Sequence, residues 1–589
     1  MDATDSTSPA GGRERWLAVG GLVLLFAILI GLFQPAMKAP LAFDDMLSIK
    51  QVQQFDHWTD AFRSDPFSLY RPVKNLFFYA MLQTSGDALN FHLSTVIAYL
   101  LATAGVFTLA WRLIGHPLWG LAVAAVWSLS AANVTIAIWA SCFNISLAIA
   151  AMTFGLAAWD CWREDPKRWG YAIAFGLLLV IGFLSYETAI AVAPMAVMID
   201  LYRGRKVFTK ASVVRYAGIA VAVLAFLALR HTAGGKLAGN INPSFAGDIE
   251  RWQIAASAPY FLWTHFLMWV APWGRLECLG SYLWDQSIPA VIVPFCWLFL
   301  IGIAVLAIRF WRPGNLVVLG LACFFIGSIP SGNFIPIGNT PYADYYVPIP
   351  AIGLALMLVA MIRGLIRLSN QKRIEPAARN LAWVVIIVLI GARAANLTAF
   401  RNWVNAWENP AVVMAETAAA RPYQFLAKAA VSRILLEAGE IDLAREYASA
   451  SIKDIDDLAV PHVVLGHVHF RAGEFELADA SFRAALDRRH MSNETILDSH
   501  LKLGEIMARD PAKVQQAFDQ HFLLVLQQRD YLKHPDAVIA TAEAFRNAGR
   551  LEDELATLKK GADYHPDHPA IKSALEAADR RQSADAGES

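Results

Sequence analysis

Eleven apolar runs, each close to the length of chain that crosses a bilayer, fill the stretch from residue 16 to residue 398 and then stop. A crossing helix needs about 20 predominantly apolar residues, and its backbone polar groups must be satisfied within the segment. The runs are 16–33, 91–114, 117–132, 141–160, 169–184, 186–202, 213–230, 288–308, 314–330, 346–366 and 380–398. Composition agrees, at 56% hydrophobic residues and a mean hydropathy of +0.40. The fold class expected is all-α: a polytopic membrane helix bundle of about eleven spans, with an α-solenoid of repeats behind it. The first run follows Arg13 and Arg15 and lacks a good cleavage site at Ala39-Pro40, so it reads as an uncleaved anchor.

Basic residues set the expected orientation. Arg163, Lys167 and Arg168 share one loop, and Arg203, Arg205, Lys206, Lys210 and Arg215 another. Arg309 and Arg312 form a third cluster, and Arg363, Arg367, Lys372 and Arg373 a fourth. The positive-inside rule assigns all of these, with Arg13 and Arg15, to the cytoplasm. That requires residues 254–271 to lie flat or re-enter as an interfacial helix pair. The loop 34–90, the loop 231–287, the loop 331–345 and everything after residue 400 then fall outside. The expected setting is an integral, multi-pass protein of a bacterial inner membrane, with its C-terminal region on the periplasmic side.

Lysine plus arginine equals aspartate plus glutamate at 50 each, a balance that argues against a nucleic-acid partner. The five cysteines, Cys142, Cys161, Cys278, Cys296 and Cys323, form no CxxC and suggest inert thiols rather than a disulfide or zinc framework. No GxSxG, GxxxxGK or HExxH occurs. His467 and His469 are two apart, so a helix would aim them at different faces.

After residue 400 helical patterns repeat. Leu436-Glu437-Ala438-Gly439 recurs as Phe470-Arg471-Ala472-Gly473, and Gly439 and Ala444 recur 34 residues later as Gly473 and Ala478. Small and large residues at these spacings let paired helices approach closely. Weaker units lie around Leu503-Gly504 and between Gly549 and Pro566. The boundaries expected are a tail 1–15, a membrane domain 16–400, a connector 401–424, repeats 425–575 and a disordered tail 576–589.

The chemistry gathers in the outer loops. Asp44 and Asp45 are adjacent carboxylates just past the first run, suited to take a proton from a hydroxyl or to hold a divalent cation. Tyr70-Arg71-Pro72 and Lys74 follow in the same loop, and Arg71 can pair with phosphate oxygens. Glu187 marks a later outer turn, and Asn339, Asp344 and Tyr345 precede another span. Singly, each has an ordinary reading: polar punctuation, a snorkelling arginine, a helix cap. Together they fall on one predicted side.

Phe43-Asp44-Asp45 and Tyr70-Arg71-Pro72-Val73 resemble the first-loop signature of GT-C glycosyltransferases. More narrowly, the chain resembles the transmembrane protein O-mannosyltransferases that join a GT-C domain to tetratricopeptide repeats. Ser185-Tyr186-Glu187-Thr188, Pro272 with Leu276 and Asp285 to Pro289, Ala343-Asp344-Tyr345-Tyr346, and Arg401 with Trp403 resemble further family segments in the same order. The resemblance implies a polyprenyl-phosphate-linked sugar donor, a protein or glycan acceptor offered through the repeats, and a hexosyltransferase reaction at the outer face. It implies Asp44 and Asp45 as base or metal ligand, with Asp45 favoured and the need for a metal open. It implies Tyr70, Arg71, Lys74, Glu187, Asp344 and Tyr345 as donor-phosphate and substrate contacts. The chain departs from the family at Tyr345, where an arginine is usual, and at Ser130-Ala131, Thr135, Phe143 and Tyr186. The second expectation is therefore an inactive GT-C-like scaffold that binds proteins through its repeats. A transporter is third, without the internal repetition that fold brings.

Overall fold

The computed structural model describes residues 12–64, 69–235, 250–278, 280, 292–334, 342–371, 375–421, 423–488, 492–528, 531–566 and 568–588. Asp285 to Pro289 and Asn339 lie outside these residues. The described chain is helical with no strand, and it divides into two compact units, 1–241 with 249–422, and 242–248 with 423–589.

Among the described residues of the first unit seven helices are long and apolar enough to cross a membrane: Gly12–Phe33, Ala88–Ile114, Ala140–Glu164, Lys210–Thr232, Ile292–Arg309, Pro348–Ser369 and Pro376–Ala406. The run expected at 117–132 is a bent pair, Pro117–Ser128 and Ala131–Ile138, turning by 72°, which would make an eighth. The other three expected runs are helices too short to count: Trp169–Ser185, Val192–Tyr202 and Leu316–Ser328. Against the eleven runs expected, seven helices among the described residues, or up to eight, have the length and composition to cross. The run at 186–202 fails because Glu187–Ala191 is a tight 3₁₀ turn, leaving a helix of 11 residues. The ambiguous segment 254–271 falls within two helices, Arg251–Ala256 and Ala258–Val270. The longer has 13 residues, roughly 20 Å at 1.5 Å per residue, less than the hydrocarbon thickness.

These helices form an inner and an outer layer. Ala88–Ile114 and Ala140–Glu164 are mostly covered, whereas Ile292–Arg309 and Pro376–Ala406 leave most of their apolar side chains bare. Water tolerates such continuous apolar faces poorly; lipid solvates them. Inside, Gly320 and Gly353 let Leu316–Ser328 and Pro348–Ser369 touch backbone to backbone, because a Cβ on either would strike the other's carbonyl.

The basic clusters gather at one end. Asp160, fully buried, binds Arg112 at 3.1 Å, Arg203 at 2.8 Å and Arg205 at 2.9 Å. Asp200, also buried, binds Arg163 at 2.8 Å and Arg205 at 2.9 Å. The Gly314 N–H donates to the Tyr202 carbonyl, Arg363 donates to the Ile114 carbonyl, and His116 lies 3.6 Å from Glu14. The loops bearing Arg13, Arg163, Arg203, Arg312 and Arg363 therefore share an end. The 22 residues of Gly12–Phe33, roughly 33 Å of helix, separate that end from the loop carrying Asp44.

The second unit is a series of helix pairs, each helix packed on the next: Phe425–Glu437 with Ile441–Asp454, Ala459–Ala472 with Phe475–Leu486, and Pro535–Asn547 with Leu551–Tyr564. Gly466 faces the Phe482 ring and Gly504 the Phe522 ring, so a small residue on one helix admits a large one from its partner. Gly439 and Gly473 end the first helix of their pairs at φ 85° and 77°, a conformation that favours glycine. The weak unit near Leu503 is irregular, its second half broken by a π-helical turn at Phe518–Phe522. The last helix, Pro569–Glu588, runs through the segment expected as a disordered tail. His467 and His469 do take different partners, Asp498 and Glu474.

Candidate functional site

The first loop is pinned before it delivers its carboxylates. The His92 ring nitrogens lie 2.8 Å and 3.0 Å from the carbonyl oxygens of Ile138 and Ala39. Phe43 then adopts φ 55° and ψ −123°, outside the ordinary regions for a bulky residue. Such strain is held only where surroundings over-determine it, and here the Phe43 ring is wedged between Trp139 and Trp407 at 6.0 Å and 6.2 Å. The helix Asp44–Val52 starts at once, with both carboxylates on its first turn, where the helix dipole favours negative charge.

The two aspartates differ. Asp45 is 1% exposed, and its oxygens accept the backbone N–H groups of Ser141 at 2.7 Å and Ala42 at 3.3 Å. Burial pushes its carboxyl up to about 6, against the hydrogen bonds from Ser141 and Ala42 and the nearby His92, which pull it down. Asp44 is half-buried, and among the described residues its carboxylate makes no hydrogen bond or ion pair. Asp45 therefore ties the first loop to the turn at Ala140–Cys142, whereas Asp44 has no such tie among the described residues.

Arg71 meets Glu187 in a two-pronged pair, Nε to Oε2 at 3.0 Å and Nη2 to Oε1 at 2.7 Å, and its guanidinium lies 4.7 Å from the centre of the Tyr186 ring. Arg230 stands 3.8 Å from the same carboxylate. Two residues expected to contact substrate separately thus bind each other. Lys74 is buried with its ammonium 5.9 Å from the Phe78 ring centre, and among the described residues no carboxylate pairs with it. Tyr70 departs from its expected role. It is 1% exposed and packs against Phe226, on the other side of the chain from its neighbour Arg71, as adjacent residues of an extended segment do.

Asp344 is fully buried. Its Oδ2 accepts from the Thr135 hydroxyl and from Trp403 Nε1, the latter at 2.8 Å, while Oδ1 has no hydrogen-bond partner. Its backbone N–H donates to the Glu277 carbonyl, and the Glu277 carboxylate holds Arg421 at 2.6 Å. Burial pushes the Asp344 carboxyl up to about 7; the Thr135 and Trp403 hydrogen bonds oppose this, and Glu277 adds to it. Tyr345 packs on Tyr346 at 4.6 Å and Trp139 at 5.9 Å.

These segments converge. The Cys142 thiol lies within electrostatic reach of Asp344, Asp45, Lys74 and Asp44. Tyr345 feels Asp44 and Tyr186, and Tyr346 feels Arg71, Glu187 and Cys142. Asp44, Asp45, Lys74, Arg71, Glu187, Asp344 and Tyr345 thus come together from four distant stretches of sequence, with only Tyr70 turned aside. The sequence reading missed what surrounds them: Thr135 and Trp403 as the holders of Asp344, and the cluster of Phe43, Trp139, Tyr345 and Trp407. The spacing of Trp403 and Trp407, four apart on one helix face, was the available signal. An open cleft of about 390 Å³, lined by Gln34, Pro35, Lys38, Ala39 and Glu408, borders the same loop. Among the described residues no three His, Cys, Asp or Glu side chains group to hold a metal ion, so the Asp45 ligand expectation finds no companions and no step is routed through a metal.

Asp344 also gives a stability signature. A carboxyl that titrates near 7 in the fold, against about 3.9 in the unfolded chain, binds its proton more tightly when folded. Stability contributed by this group is full below about pH 4, falls as pH rises through about 7, and is flat above. Asp344→Asn cannot lose that proton, so its melting temperature relative to the natural protein should rise between pH 5 and pH 8. Scanning fluorimetry in lipid nanodiscs checks this, and an unchanged difference between the two pH values would refute it.

No family model matches this chain, and no curated protein matches it.

Proposed function

We propose that the protein is a membrane glycosyltransferase of GT-C type, moving a hexose from a polyprenyl-phosphate donor to a hydroxyl of a protein or glycan acceptor at the outer face of a bacterial inner membrane. The observation that carries this reading is that an open carboxylate, Asp44, and a buried cation with no carboxylate partner among the described residues, Lys74, both lie within electrostatic reach of the Cys142 thiol. The Asp44 carboxylate takes the acceptor's hydroxyl proton. The acceptor oxygen then attacks the anomeric carbon of the donor, the bond from that carbon to the phosphate oxygen breaks, and its electron pair leaves with the lipid phosphate. In this scheme Lys74 neutralises that phosphate, and Arg71, oriented by Glu187, adds a second cation. The cleft beside Lys38 and Glu408 offers the acceptor a polar approach, and the tetratricopeptide-like helix pairs of the second unit select it. Asp44 replaces Asp45 as the base in this reading, because Asp45 spends its oxygens on backbone N–H groups.

A second reading has its own support. Arg71 is already occupied by Glu187 and Tyr345 stands where relatives carry arginine, so two phosphate contacts of an active enzyme are compromised. An inactive scaffold that works through its repeats would look the same. Intact-mass profiling of outer-face proteins and surface polysaccharide separates the two. A deletion strain restored with the natural protein should regain a hexose mass that a strain restored with Asp44→Asn, at equal membrane level, does not. Equal rescue of a deletion phenotype by both, with no sugar difference, would select the scaffold.

A further inference from the structure

At the basic end, the loop between Val192–Tyr202 and Lys210–Thr232 is tied to the loop after Ile292–Arg309. The Gly314 N–H donates to the Tyr202 carbonyl at 2.8 Å, and Pro313 lies against Gly204, where an added Cβ would stand 3.5 Å from it. Residues 203–215 and 309–316 contain no aspartate or glutamate. Asp160 and Asp200 neutralise Arg203 and Arg205. Lys206, Lys210, Arg309 and Arg312 are exposed, and among the described residues none of them meets a carboxylate. Lys210 also opens its helix, where the dipole opposes a positive charge, so helix stability does not account for it.

Two phenylalanines stand among these bases. Phe208, between Lys206 and Lys210, is 93% exposed, and Phe310, next to Arg309, is 60% exposed. The positive-inside rule accounts for bases in a loop, but not for aromatic rings held out between them. Rings so placed suit the boundary between headgroups and acyl chains, where basic residues flank them. The depth also fits. Ile292–Arg309 has 18 residues, roughly 27 Å of helix, so Arg309 stands about one hydrocarbon thickness from the helix start. Ile292–Arg309 and Lys210–Thr232 leave most of their side chains bare, so phospholipid is the neighbour that meets the bases at their ends.

We infer that Lys206, Lys210, Arg309 and Arg312, with Phe208 and Phe310, form a docking surface for the headgroups of anionic phospholipid in the adjoining leaflet. The four bases meet the net negative charge of the headgroups, and the two rings enter the layer beneath them. This inference rests on membrane placement alone, so it stands or falls apart from the glycosyltransferase reading.

The test reads the lipid retained by the full chain in detergent, by native mass spectrometry. Phosphatidylglycerol and phosphatidylcholine with identical acyl chains are supplied in equal amounts. One base beside an anionic surface contributes about fivefold, so the four should give phosphatidylglycerol at least about a tenfold preference. In Lys206→Gln/Lys210→Gln/Arg309→Gln/Arg312→Gln the preference should fall to about twofold or less, read as a ratio within one sample so that loss of protein does not imitate the effect. Exchanging the same side chains with charge kept, Lys206→Arg/Lys210→Arg/Arg309→Lys/Arg312→Lys, should retain it. So should Arg433→Gln/Lys453→Gln/Lys559→Gln/Lys560→Gln, which removes equal charge from exposed positions of the second unit. Glycerol phosphate, an anion of the same chemistry without chains, should displace no more lipid than potassium chloride of equal ionic strength. No preference in the natural protein, a preference that survives the first variant, or an equal loss in the second-unit variant would overturn the surface. Displacement by glycerol phosphate beyond that by salt would assign the site to a soluble phosphate and overturn the lipid.

Discussion

Asp44→Asn should lower sugar transfer at least about a hundredfold, the usual worth of a positioned general base, while Asp45→Asn should lower it by less than about tenfold. The two side chains adjoin in sequence and differ in what their surroundings leave them free to do. A base must reach its proton and be ionised before it does so. Asp45 is 1% exposed, holds two backbone N–H groups and is pushed up to about 6 by burial. An asparagine there keeps an oxygen for the Ser141 N–H at 2.7 Å, so the loop stays in place. Asp44 has no such duty among the described residues, and the strained Phe43 before it fixes where the helix Asp44–Val52 begins. The check is single-turnover transfer by purified variants in nanodiscs, with product read by mass. A larger loss in Asp45→Asn than in Asp44→Asn would reverse the assignment.

Much of the fold was legible because apolar run length is a direct physical signal. Among the described residues every one of the eleven runs holds helix, from Gly12–Phe33 to Pro376–Ala406. Fewer of them are unbroken over the length that a crossing needs. Hydropathy does not register that Glu187–Ala191 winds as a 3₁₀ turn or that the chain bends by 72° after Ser128. The basic clusters forecast which loops share an end, since repulsion between like charges at that end is relieved by two buried aspartates that the charge count alone did not single out. In the site, polar residues announced themselves by being costly near lipid, which is why Asp44, Arg71, Glu187 and Asp344 could be named. Their pairings could not. Whether Arg71 faces a phosphate or Glu187, and whether Tyr70 looks inward or toward Phe226, depends on packing between segments far apart in sequence. Trp403 and Trp407 showed only as a spacing of four on one helix face; that Trp403 holds Asp344 depends on a contact 59 residues away in sequence.

Asp160→Ala should be the most damaging single change at the basic end, costing about 3 kcal/mol, the low end of what breaking a buried ion pair costs. The aspartate is fully buried and binds three arginines from two helix ends, Arg112 in the last turn of Ala88–Ile114 and Arg203 and Arg205 just after Val192–Tyr202. Removing it does not affect them equally. Arg112 keeps Glu164 at 2.6 Å, and Arg205 keeps Asp200 at 2.9 Å. Arg203 retains only the carbonyl of Arg112 as a hydrogen-bond partner among the described residues, so it carries most of the loss. Partial exposure of the arginine heads, 18% to 33%, lets water recover some of the cost, which is why the low end is expected. The neighbouring pair Asp165–Arg168 is an internal control: its side chains are 45% and 66% exposed, and Asp165→Ala should cost less than about 0.5 kcal/mol. Denaturant titration of both variants in mixed micelles measures the difference. Equal, small effects would mean that water already solvates the arginines and that Asp160 does not hold the helix ends together. A large effect confined to Asp160 would mean that the end opposite Asp44 is a fixed base, against which the strained first loop can be held.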